Sequence, residues 1–72
     1  MTDKLELEIA IKRAGLTKNE IAKRLNLSKA SFYKKLNNAT EFKASEISEL
    51  YKILKLNSLE EQQQIFFNHR VD

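Results

Sequence analysis

The stretch from Thr17 to Asn38, TKNEIAKRLNLSKASFYKKLNN, constrains the fold more than any other part of the chain, because it reads as two short helices joined by a turn too brief to let them diverge. Thr17 with Glu20 three residues on makes a capping box, so a helix begins near Lys18. Ile21, Ala22 and Leu25 form one apolar stripe, while Lys18, Asn19, Lys23 and Arg24 fall mostly on other faces. Asn26 stands where the chain must reverse, and Asn accepts the left-handed backbone that a helix end needs. Ser28 is the next N-cap, and Leu27 tucks between the helices. The second helix, Lys29 to Asn37, points Phe32 and Leu36 inward and leaves Lys29, Ala30, Tyr33 and Lys34 on or near its outer face. Small Ala22 lets the two helices cross closely. The pattern is a helix-turn-helix over about residues 17–38 of a single domain spanning 1–72.

The flanking segments supply scaffold. Asp3, with Glu6 three residues later, caps a first helix from about Lys4 to Ala14, which Gly15 ends. Leu5, Leu7, Ile9 and Ile11 also alternate like a strand. The Gly15 stop, the helical spacing of Leu7, Ile11 and Ala14, and a Glu8–Lys12 pair at i, i+4 decide for helix. Leu16 is a candidate hydrophobic staple before the Thr17 cap. Ala39 to Lys43 is a linker that Phe42 anchors to the core. A fourth helix, about Ala44 to Leu54, carries Ile47, Leu50, Tyr51 and Leu54 inward, with Glu46, Glu49, Lys52 and Lys55 on its wet side. Ser58 and Glu61 form a second capping box for a fifth helix reaching about Phe67. Its Ile65, Phe66 and Phe67 are too apolar to be wholly exposed, so one Phe closes the core and another is free to meet a second chain in a homodimer. Asn68 to Asp72 should fray. The expected architecture is all-α, a compact five-helix domain.

Charge separates this chain from most functional classes. With 72 residues, no Cys, no Pro and one Gly, it has neither disulfides nor a zinc-thiolate site. From Lys12 to Lys35 eight basic residues face Glu20 alone, a net +7, while residues 1–11 and 36–72 each sum to −2. For any one Lys a solvated helix surface suffices as explanation. The cluster on a helix-turn-helix points instead to nucleic acid, because such a patch releases counterions from phosphate. No catalytic constellation accompanies it. His69 has no Cys or acidic partner at ligand spacing and reads as a surface imidazole, and Glu60 and Glu61 suit a helix N-terminus. There is no glycine-rich phosphate loop and no nucleophile elbow, so we expect no enzyme, no cofactor, no metal and no small-molecule substrate. No apolar run approaches the ~20 residues of a membrane span, and MTDKLELE is too acidic for a secretory signal. The expected location is the cytoplasm.

Through Ile21, Ala22, Leu25, Leu27, Ser28, Phe32 and Leu36 the stretch resembles the helix-turn-helix of the Cro/phage-repressor family. It departs in having Asn26 where that family usually has Gly, and in closing the second helix with Leu36-Asn37-Asn38 where relatives often read Leu-Asn-Gly. Both departures keep a residue that tolerates a left-handed backbone. The Glu-rich turn and the late Ile-Phe-Phe also resemble short Cro-like regulators of temperate phages in Gram-positive bacteria. The resemblance implies a transcriptional regulator of a lysis/lysogeny switch whose second motif helix enters the major groove of double-stranded DNA. Lys29, Ala30, Tyr33 and Lys34 then face base edges, and Thr17, Lys18 and Asn19 position phosphates. Asn38, Thr40 and Lys43 would touch the backbone from the linker. A dimer would read half-sites about 34–36 Å apart.

A second resemblance, in length and layout, is to the modulators of repression of lactococcal temperate phages. It implies an antirepressor whose motif surface docks on the phage repressor's DNA-binding domain, with Ala30 and Tyr33 at the contact. Both readings use the surface from Lys18 to Lys35 and differ in its partner. An antitoxin, the third alternative, ordinarily adds an extended segment beyond the motif, and this chain ends within a few residues of its fifth helix.

Overall fold

The computed structural model describes residues 1–67; the expectations for Asn68 to Asp72, including His69, lie outside the described residues. The chain is all-α, with α1 (Lys4–Arg13), α2 (Lys18–Arg24), α3 (Lys29–Leu36), α4 (Ala44–Ile53) and α5 (Leu59–Phe66), and no strand among the described residues.

Each helix starts where a short polar side chain or a backward-reaching carboxylate meets its orphan amides. Asp3, Ser28 and Ser58 accept from the backbone amides of Glu6, Ser31 and Glu61 at 3.1, 3.1 and 3.4 Å. Thr17 and Glu20 close the full reciprocal capping box, at 3.2 and 3.1 Å. α4 starts on Lys43, which has no side-chain acceptor, so only the second half of such a box forms: the Lys43 amide donates to Glu46 Oε1 at 2.8 Å.

The first four helices end alike. Gly15, Asn26, Asn38 and Lys55 have φ of +72°, +56°, +63° and +54°. In each, the amide of the left-handed residue bonds a carbonyl three residues back, and the next amide bonds one five residues back, the double closure of a Schellman motif. Leu16, Leu27 and Leu56 follow three of these residues and fold back onto the core. Lys55 has neither glycine's freedom nor the local hydrogen-bonding capacity of Asn, so its left-handed backbone costs about 1–2 kcal/mol, offset by burial of Leu56.

The buried side chains form one cluster drawn from all five helices. Leu7, Ile21, Phe32, Leu36 and Leu50 are completely buried. Phe42 anchors the α3–α4 linker to the core as expected, and it also ties α3 to α5, with its ring edge-on to Phe32 and to Phe66, both at 6.1 Å. Leu16 packs on the core, while Ala14 is exposed at the C-cap of α1 rather than on its apolar face.

Two sequence expectations about polar residues are corrected by the packing. Glu46 is not on the wet side of α4: it is buried, and Lys35 Nζ of α3 donates to its carboxylate at 2.6 Å. Glu8 pairs with Lys18 of α2 instead of Lys12. At the other end, Ile65 and Phe66 are core residues, leaving Phe67 alone of that cluster on the surface.

Candidate binding surface

Residues on the outer sides of α2 and α3 are brought together by one aromatic ring. Tyr33, half-buried beside Phe32, lies under two cations, with Lys18 Nζ and Lys29 Nζ 5.8 and 5.9 Å from its ring centroid. This joins the start of α2 to the first turns of α3. Each cation–π contact at such a site stabilises by about 0.5–1 kcal/mol, and together they hold two flexible Lys side chains over a fixed ring.

Around this ring Thr17, Asn19, Lys29, Ala30 and Lys34 are exposed. The burial of Phe32 and Leu36 turns Lys29, Ala30 and Lys34 outward on α3. The Ser28 cap and the Asn26 turn fix where α3 begins relative to α2. The surface is therefore rigid at its base and offers ammonium groups, a methyl group and an aromatic face.

Two cations that sequence places in this patch are met by carboxylates. Lys18 is paired with Glu8, and the two side chains keep 34% and 30% of their surface in water. The hydrogen bond from Lys18 holds the Glu8 carboxyl below its ordinary range despite partial burial, and the same bond raises Lys18. Such an exposed pair adds little stability, but it cancels a charge at the edge of the surface. Lys35 is internal. Burial pushes the Glu46 carboxyl up, yet the hydrogen bonds from Lys35 and the Lys43 amide, with both cations near, outweigh it and hold the group below its ordinary range.

Asn38 and Lys43 lie past the end of α3. The Asn38 side chain is engaged by the start of the chain, accepting from the Thr2 amide at 3.0 Å and donating to the Thr2 carbonyl at 2.8 Å. Together with the bond from the Asp3 amide to the Ile65 carbonyl at 2.6 Å, this clasps the amino-terminal segment across the ends of α3 and α5. Lys43 caps α4 with its backbone and leaves its side chain exposed.

Sequence reasoning missed the two carboxylates that reduce the patch, Glu8 and Glu46. Neither pairing follows a helical spacing, because each links different helices. Among the described residues no group of three or more His, Cys, Asp or Glu is placed to hold a metal, and no helix is long and apolar enough to cross a membrane. Compared with known protein families, curated proteins and solved structures, the chain matches none.

Proposed function

We propose that this chain is a small, non-enzymatic helix-turn-helix regulator of a temperate-phage lysis/lysogeny switch, acting through the outer surface of α2 and α3 on operator DNA, on the phage repressor, or on both. The observation that supports this reading is the joint display of Lys29, Ala30 and Lys34 beside the Lys18–Tyr33–Lys29 stack, on helices anchored by Ile21, Phe32 and Leu36. On DNA, Lys29 and Lys34 would donate to guanine O6 and N7 and Ala30 would meet a thymine methyl.

The Glu8–Lys18 pair favours a second reading within the same scheme, an antirepressor that docks on the repressor's DNA-binding domain without selective DNA binding of its own. A carboxylate beside the first motif helix repels phosphate and leaves an aromatic-centred surface suited to protein contact.

Titrating the chain against its own promoter region, at two salt concentrations and with and without the repressor encoded beside it, separates the two. Sequence-selective retardation by the chain alone, falling steeply with salt, supports operator binding. Loss or alteration of the repressor's complex, with no selective retardation by the chain alone, supports the antirepressor. Lys34→Ala is expected to weaken selective DNA binding by about 1–3 kcal/mol, measured by the same titration; equal losses on every sequence would make it a phosphate contact. Glu8→Gln releases Lys18, and if DNA is the partner the plot of log affinity against log salt should steepen by about 1. An unchanged slope would remove Lys18 from the phosphate contacts.

A further inference from the structure

We infer that α1 forms a self-complementary face through which two copies of this chain associate, antiparallel, about a two-fold axis between Ile9 and Ala10. The face lies beside a shallow cleft of about 100 Å³ between α1, the α4–α5 connection and α5. Pockets for drug-sized molecules are ~300–1,000 Å³, so this cleft has the scale of an inserted side chain. Its floor is apolar, with Leu54, Leu56 and Ile65, and Glu6, Ile9, Ala10 and Arg13 of α1 form one wall.

The order of residues along α1 identifies the occupant. At 3.6 residues per turn, Leu5, Glu6, Ile9 and Arg13 share a stripe turned away from Leu7 and Ile11, which face the core, and Ala10 borders it. When two such helices pack antiparallel with the axis between positions 9 and 10, Ile9 lies against the partner's Ala10 and Glu6 against the partner's Arg13. Every one of these contacts occurs twice, as a two-fold interface requires. Each contact also suits its chemistry. Leu5 is 65% exposed at the edge of the stripe. Neither Glu6 nor Arg13 enters an ion pair within the chain among the described residues. Small Ala10 lets the helix axes approach, so that the partner's Ile9 reaches the cleft.

Glu8, which holds Lys18, projects from a different side of α1, and no residue of the α2–α3 surface takes part. The association is therefore independent of what that surface binds, and a dimer carries two such surfaces. One helix pair buries less than the 1,200–2,000 Å² or so of a standard stable interface, so the dimer is reversible and concentration-dependent.

Sedimentation equilibrium of the full chain over a range of concentrations tests this. The expected result is a monomer–dimer equilibrium that weakens with salt. Arg13→Glu and Glu6→Arg each turn two attractive contacts into two repulsive ones and should raise the dimer dissociation constant about tenfold or more. An equimolar mixture of the two variants should recover dimer as a heterodimer, because it restores both opposite-charge contacts in trans, which loss of folding in either variant would not do. A chain that stays monomeric throughout overturns the inference. So does a dimer indifferent to both reversals, or one abolished by Phe67→Ser instead, which would place the contact on the exposed Met1 and Phe67.

Discussion

Glu46→Ala is expected to destabilise the fold by about 3–5 kcal/mol, the usual cost of leaving a buried charge without its partner. Lys35 and Glu46 keep only 11% and 10% of their side chains exposed, and the carboxylate holds α3, α4 and the linker at once, through Lys35 Nζ and the Lys43 amide. A core of this size supplies only about 3–5 kcal/mol in total, so urea denaturation should find the variant largely unfolded. Replacing both partners by apolar residues, Lys35→Met with Glu46→Leu, should be neutral or stabilising, since the cost of taking both charges out of water disappears with them. A double variant as unstable as the single one would mean that the hydrogen-bond geometry itself, rather than charge compensation, holds the linker.

The same pair sets an acid limit on stability. The Glu46 carboxyl titrates below its ordinary value in the folded chain. Its contribution is therefore fully present above the unfolded-state pKa and is lost as pH falls through the depressed folded-state value. Urea midpoints should be level near neutrality and decline on the acid side of the normal carboxylate range. In the Lys35→Met, Glu46→Leu variant that decline should shrink.

Phe32→Ala should cost about 3–5 kcal/mol, the range for truncating a buried aromatic ring. Phe32 is completely buried, meets Phe42 edge-on and backs Tyr33. Its loss removes the anchor of the linker and the support beneath the ring that gathers Lys18 and Lys29. Thermal melting followed by circular dichroism checks the stability. Phe32→Leu, which keeps most of the volume, should retain the fold while loosening Tyr33, so the two effects can be measured apart.

Local chemistry in the chain was enough to locate every helix. The Thr17 box, the Ser28 and Ser58 caps, and the reversals at Gly15, Asn26 and Asn38 are interactions among residues a few positions apart, and a side chain carries them wherever the segment goes. The apolar spacing likewise separated Phe32 and Leu36 from Lys29, Ala30 and Lys34. Lys55 was illegible for the complementary reason: nothing in a lysine favours a left-handed backbone, and only burial of Leu56 against the assembled core holds it there.

What sequence alone determined, then, was the order and ends of the helices and which faces are apolar, because both follow from contacts within a turn or two of chain. Which charges remain free was decided only in three dimensions. Glu8 and Glu46 each meet a Lys on another helix, Asn38 meets Thr2 from the opposite end of the chain, and Ile65 and Phe66 turn inward. Helical period says whether a side chain faces the core, but the partner of a polar group depends on which helices pack side by side.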